Sequence, residues 1–330
     1  MKCKETGETN VACSCNFFSV NLASVKLLGG IHTSMVAWPG AALIGLELRD
    51  SATKGCGVYA LAAFAAGQRL LAEEPLVECE ACDAKGTVYP AAAVDALGET
   101  VREAFFALCQ NAQWGADKSA RGIWLSNALP TDDVPAPKSA VFRYTCRFNH
   151  ACRPNVYQHW NERLRAMMLH AIRPIHSGEE LTISYLPFGD GASRSSRQAS
   201  LLGDFGFQCG CDLCALLGDA LKQSDARQER IQALGRRLQM PDAGAVVDLA
   251  EGRLRLLRKE GMLETSWDTM FAASTALRKA GKQQRPAAIE WAARAAECAR
   301  VALGEDSREF EEYSAAARVS AKQSAARPNG

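Results

Sequence analysis

The sequence predicts an α+β chain in which a β-rich region, interrupted by inserted helices, precedes an all-helical C-terminal region. Three observations predict it. Short β-prone runs punctuated by glycine occupy residues 47–77 and recur from residue 155 to 186, an Ala-rich stretch with apolar residues three and four apart lies between them, and after Cys214 the composition turns to Ala, Leu, Arg and Glu. A length of 330 residues suffices for a full core and predicts two domains, or one domain with an appendage.

Each element follows from local signals. The N-terminal stretch "NFFSVNLASVKLLGGIHTSMVAWPGAALIGL" is apolar, but Lys26, His32 and Pro39 break it short of the ~20 apolar residues a membrane helix requires. It reads as a loosely ordered extension over 1–46. From Glu47 to Val77, Gly55, Gly57 and Gly67 break short runs into strands and turns. Between Ala91 and about Leu125, Val94, Leu97, Val101, Phe105 and Leu108 have helical spacing, and "LPTDDVPAPKSA" then marks a loop. "NVYQHW", "LRAMMLHAI" and "LTISYL" are three further strands, the last after the turn "IHSGEE", so the two β-rich halves are expected to share one sheet. Beyond Cys214, breakers at Pro241, Gly261, Gly281–Pro286 and Gly304 divide the chain into about five helices packed as antiparallel pairs. Degenerate tetratricopeptide-type hairpins and an irregular bundle both fit that pattern.

A formal net charge of +1, with 48% apolar and 23% charged residues, gives no global pull towards nucleic acid or anionic lipid. Thirteen cysteines, an odd number crowded at short spacings, point to reduced thiols and metal binding, hence to the cytosol or nucleus.

The chemistry-bearing stretches are "RFNHACRPN" and "FGFQCGCDLC". Cys209, Cys211 and Cys214 are too close for easy disulfides but well placed to ligate one Zn²⁺, whose structural sites take four ligands. Cys152 is the natural fourth. Cys79 and Cys82 form a C-x-x-C pair without further ligands, and Cys3, Cys13 and Cys15 offer an alternative partner set for them.

With these residues in view, the chain resembles SET-domain protein lysine methyltransferases of the SET-and-MYND branch and its fungal-type relatives. Four ordered motifs carry the resemblance: "GCGVYA", "RFNHACRPN", "GEELTISY" and "FGFQCGC" with "DLC". It implies a SET domain over 47–204 with a helical insertion at about 91–140, a post-SET zinc element over 205–217, and a helical region over 218–330. It also implies a pseudoknot in which the Asn-His and tyrosine segments thread together. By the same resemblance Gly55, Gly57, Asn149 and His150 hold S-adenosylmethionine, Tyr185 is catalytic, and Phe205 lines the lysine channel while Phe207 stacks on the cofactor. Asn127, in "LSNAL", sits where related enzymes often place another cofactor-binding asparagine; a plain turn residue fits that position equally.

Two departures matter. Ala151 stands where the family commonly has serine, and the MYND zinc module is missing. The function implied is methyl transfer to a lysine of a protein substrate by a monomer that needs neither membrane nor nucleic acid. The alternative is a catalytically silent SET scaffold acting as a protein-interaction module.

Overall fold

The computed structural model of the chain describes residues 45–51, 54–79, 88–131, 138–239 and 245–318. The expectations for Cys3, Cys13, Cys15, Cys82 and most of the N-terminal extension lie outside the described residues.

Among the described residues, ten strands and three short α-helices build the first region. In chain order these are β1 (Leu46–Ser51), β2 (Gly55–Ala60), β3 (Arg69–Glu73), β4 (Val77–Cys79), helices α1 (Ala91–Asp95), α2 (Glu99–Phe106) and α3 (Ala120–Asn127), then β5 (Leu129–Pro130), β6 (Ser139–Val141), β7 (Asn149–His150), β8 (Val156–Asn161), β9 (Ala166–Ala171) and β10 (Glu180–Ile183). They do not form the single shared sheet expected. Three small sheets form instead, ordered β1-β2-β10-β7, β3-β9-β8 and β4-β6-β5. With two to six residues each, the strands offer only short ladders. Every sheet nevertheless joins strands from before the helical insertion to strands after it. Even the proline-rich loop contributes, because its two ends pair as Leu129↔Ala140 and Pro130↔Ser139.

The first sheet positions the site. β1 and β2 form an antiparallel pair from Leu46↔Ala60 to Ser51↔Gly55, and β10 adds to β2 through Leu181↔Val58. β7 then lies parallel to β10, Thr182 opposite Asn149 and Ile183 opposite His150. A parallel neighbour needs a long crossover, and the chain between β7 and β10 supplies it as the β8–β9 hairpin. Val58, Phe142, Phe148, Leu169, Leu181 and Ile183, all nearly inaccessible to solvent, fuse these layers into one core. A second core under the insertion contains Phe105, Leu108, Ile123 and Trp124.

After β10 comes α4 (Arg194–Phe205), then a cysteine knuckle, then five α-helices among the described residues: α5 (Gly218–Gln239), α6 (Val246–Glu260), α7 (Trp267–Ala280), α8 (Arg285–Leu303) and α9 (Arg308–Arg318). α5 packs on α6, and α8 on both α7 and α9. The buried alanines of α8 (288, 292, 295, 296, 299 and 302) let its neighbours approach closely. α8 also packs on β8 and β9, so all six residues of β9 are buried, as a strand covered on both faces must be. The helices and the cysteine knuckle share one continuous core.

Candidate functional site

The parallel pairing of β7 with β10 brings the Asn-His and tyrosine motifs into contact, with Asn149 opposite Thr182, 33 positions further on. Ala151 N–H continues the ladder by donating to Ile183 O at 3.0 Å. The junction is fastened from below by Asn155, which is 1% exposed. Its Nδ2 donates to Glu180 O at 2.8 Å and to Glu179 Oε1 at 3.1 Å, and its Oδ1 accepts from Thr182 N at 2.8 Å. Both faces of one amide are thus spent on holding β10 in place.

Tyr185 follows β10 directly. Its hydroxyl donates to Phe148 O at 2.8 Å, which fixes the ring, and its backbone N–H donates to His150 Nδ1 at 3.0 Å. Burial holds the phenol well above its usual pKa range, with the charges of Cys146 and Glu180 pushing the same way. The hydroxyl therefore stays protonated and can act only as a dipole and hydrogen-bonding group. Around it stand His150 at 5.3 Å between ring centroids, Phe205 at 5.1 Å and Phe207 at 6.3 Å, the last edge-on.

His150 is 4% exposed, and burial lowers its pKa to about 4, so the ring is neutral. Because Nδ1 accepts from Tyr185, Nε2 carries the proton and points it at Cys152 Sγ, 3.2 Å away. Both ring nitrogens are committed, which leaves only the backbone of His150 for a ligand. Asn149 donates from Nδ2 to Glu180 Oε1 at 2.9 Å, and Glu180 also pairs with Lys54 at 2.7 Å. A Cβ on Gly57 would lie 2.6 Å from that same Asn149 nitrogen, so the second glycine of the motif is required by the close approach of β2 to β7. Gly55 differs: its φ is +73°, and no described residue comes within 4 Å of where its Cβ would stand. Asn127, at the end of α3, spends its Nδ2 on Cys109 O and Ile123 O, both at 2.7 Å.

Cys152, Cys209, Cys211 and Cys214 have sulfurs within 4.8 Å of one another. Cys152 Sγ lies 3.9 Å from that of Cys209 and 3.5 Å from that of Cys214. A tetrahedron with Zn–S of about 2.3 Å has S···S edges of about 3.8 Å, so the four thiols match a structural zinc site in number, chemistry and spacing. The four thiols are tightly coupled: the hydrogen bonds among them hold Cys211 and Cys214 low and push Cys152 and Cys209 up, so a bound cation would have to displace the protons of the latter two. α4 braces the knuckle, with Gln198 taking the Cys209 backbone N–H and C=O at 2.9 and 2.7 Å and the buried Arg197 reaching Cys214 Sγ at 3.8 Å. A guanidinium beside thiolates offsets the net negative charge of such a site.

Four participants carried no signal that sequence reasoning used: Glu180, Asn155, Arg197 and Gln198. The first two stand within quoted motifs, where their buried partners could not be read. The last two lie on α4, 12 and 11 residues ahead of Cys209, and nothing local marks them.

Residues 55–186 match the family model for the SET domain. The chain is 33% identical over 206 residues to "Histone-lysine N-methyltransferase set5" of Schizosaccharomyces pombe, covering 62% of this chain and 60% of that protein. It is 35% identical over 78 residues to "Histone-lysine N-methyltransferase ASHR2" of Arabidopsis thaliana, covering 24% of this chain and 19% of the relative. A SET and MYND domain-containing protein of Dictyostelium discoideum matches at 33% over 95 residues, 28% of this chain and 27% of its own length. The chain thus spans less than two thirds of each of these relatives.

Proposed function

We propose that this chain, whose residues 55–186 are a SET domain, transfers a methyl group from S-adenosylmethionine to the ε-amine of a protein lysine. The names of the fission-yeast and plant relatives suggest a histone as the substrate class, and with it a nuclear site of action. The observation that carries the reading is the placement of Tyr185, its hydroxyl anchored on Phe148 O, where the paired β7 and β10 meet the Phe205–Phe207 wall.

The residues fit the cofactor. Open space over Gly55 lets a ligand approach the backbone, and the partly exposed face of Phe207 offers a flat apolar surface for a purine. Asn149 and the backbone of His150 lie at the edge where this ligand would be held. S-adenosylmethionine, when bound, supplies the methyl group on a positively charged sulfur.

The chain's own contribution is positioning and desolvation. A lysine amine has a pKa of about 10.4 in water and must lose its proton before it attacks. Tyr185 and Phe205 enclose it in an apolar channel, where the ammonium form is disfavoured. Tyr185, protonated and fixed, orients the neutral amine for in-line attack. No protein base is assigned. In this reading zinc would take part in no step: Cys152, Cys209, Cys211 and Cys214 would hold it, and the knuckle so closed would fix Phe207 and, through the Nε2–Sγ contact, His150. The SET domain over 47–204, the zinc element over 205–217 and the helices beyond act as one unit.

The test is transfer of label from S-adenosylmethionine to histones and to a hypomethylated lysate, by wild type and by Tyr185→Phe. Losing one fixed hydroxyl is expected to lower kcat by roughly a hundredfold, with cofactor affinity kept within about threefold. Equal rates would refute the role of Tyr185, and no transfer by wild type with cofactor bound would favour the silent scaffold.

A further inference from the structure

The inserted segment after α2 reaches across to the end of α4, and this contact has a consequence for the reaction site. α4 ends in a left-handed turn at Gly206, φ +71°, with Gly206 N–H donating to Leu202 O and Phe207 N–H to Leu201 O. That turn leaves the carbonyls of Asp204 and Phe205 without partners inside the helix. Two side chains of the insertion take them: Gln113 Nε2 donates to Asp204 O at 2.8 Å, and Asn111 Nδ2 donates to Phe205 O. A Cβ on Gly206 would stand 2.9 Å from Asn111 Oδ1, so the asparagine also fills the space over the turn.

Phe205 and Phe207 flank Gly206 and face Tyr185 from two sides. Tilting the Phe205–Gly206 peptide therefore moves both rings relative to the tyrosine hydroxyl. Asn111 is itself held from three directions. Its backbone N–H donates to Ser126 Oγ at 2.8 Å, its Oδ1 accepts from Gln113 N at 3.0 Å, and Asn127 clamps Cys109 O two residues upstream. An unbroken series of hydrogen bonds thus runs from α3 through residues 109–113 to the aromatic wall.

We propose that Asn111 is a positioning residue for methyl transfer, fixing through the Phe205 carbonyl how the Phe205–Phe207 wall packs against Tyr185. This rests on the methyl-transfer reading. That packing sets how the aromatic rings stand around the substrate amine, so Asn111 governs turnover and the number of methyl groups the amine can accept, and Asn127 acts on the site through this series of contacts.

The experiment uses the full zinc-loaded chain with Asn111→Asp, which keeps the size and the acceptor for Gln113 N–H but removes the donor to Phe205 O, and Asn111→Ala, which removes both. Amide hydrogen exchange at Gly206 and Phe207 is expected to rise about fivefold, the equivalent of the ~1 kcal/mol of one amide–carbonyl hydrogen bond. With S-adenosylmethionine and the substrate found for wild type, kcat should fall at least as far, KM for the cofactor should stay within about twofold, and the ratio of mono- to dimethyl-lysine should change. Unchanged exchange would overturn the proposal. Faster exchange with unaltered kcat and product ratio would overturn it too, leaving Asn111 a structural cap. Absence of transfer by wild type would instead remove the methyl-transfer reading and this proposal with it.

Discussion

Replacing Asn155 by alanine tests whether β10 is held where Tyr185 needs it. Beyond a long 3.4 Å contact from Thr182 Oγ1, the side chain makes three shorter hydrogen bonds from a position 1% exposed. The contact to Glu179 lies near the surface, where water can replace it, and contributes little. The other two are interior. Removing the acceptor orphans the buried N–H of Thr182 at a cost of about 1–3 kcal/mol, and losing the donor to Glu180 O costs about 1 kcal/mol more. The sum, roughly 2–4 kcal/mol, is smaller than the 5–15 kcal/mol typical of global stability, so the variant should fold. β10 should open more often, however. At 1.36 kcal/mol per decade, hydrogen exchange at Thr182 and Ile183 should accelerate about thirtyfold to a thousandfold, while amides in α7 and α8 hardly change. Since Tyr185 lies two residues beyond Ile183, cofactor-dependent methyl transfer should fall in parallel. Exchange at Thr182 within about threefold of wild type would refute the argument, because the strand would then be held by its ladder alone.

Two further outcomes follow from the same geometry. Cys152→Ser replaces one of four sulfurs by a hydroxyl, a poor zinc ligand whose oxygen can still accept from His150 Nε2; zinc affinity should fall at least about tenfold, read by competition with a chromogenic chelator, and cofactor affinity should fall with it. At the seam between β8–β9 and the turn after α8, His159 and His170 stack at 5.7 Å, with Arg69 Nε donating to His170 at 3.3 Å while Arg69 pairs with Asp306. Burial lowers their pKa values to about 4 and about 3, opposed at His159 by Asp306 and reinforced at His170 by His159 and Arg69. The unfolded chain binds more protons than the folded one between about pH 6.5 and 4, so their stabilisation is present above pH 6.5 and lost as pH falls. At pH 5 the loss is at most ~2 kcal/mol for each, about 1.5 units at 1.36 kcal/mol. Urea unfolding of the His159→Gln, His170→Gln double variant should show a flatter decline from pH 7.5 to 5, and an identical decline would count against the seam.

How much of this was legible in the sequence depends on the range over which each interaction is encoded. The strands, inserted helices and C-terminal helices follow local patterns of glycine, proline and apolar spacing, and the structure has them in the expected order. The four thiols were legible because metal ligation restricts spacing so tightly that Cys209, Cys211 and Cys214 announce one another, and Cys152 is the conspicuous cysteine left over. The division into three sheets was not legible, since strand partners 90 or 100 residues away leave no local trace. Nor was the link from Asn111 to Phe205 O, a side chain and a backbone group 94 positions apart.

The Asn-His-x-Cys-x-Pro-Asn stretch shows the same limit from the opposite direction. Its polar residues read as ligand-binding chemistry, yet Asn149 is tied to Glu180, His150 to the Tyr185 backbone and Cys152, and Asn155 to Thr182 and Glu180. Arg153, in the same stretch, approaches the fully buried Glu260 of α6 at 3.6 Å. Pairing a two-residue strand with a segment far along the chain leaves buried backbone and side-chain groups that the strand cannot pair by itself, and each must be given a partner. The motif is dense because the crossing is dense, and its sequence specificity is that of a fastener placed beside a reactive site. It follows that Ala151, standing where a serine is common, should be well tolerated: its own N–H already donates to Ile183 O, and a hydroxyl there would add one bond to a crossing that Asn155 and His150 already hold.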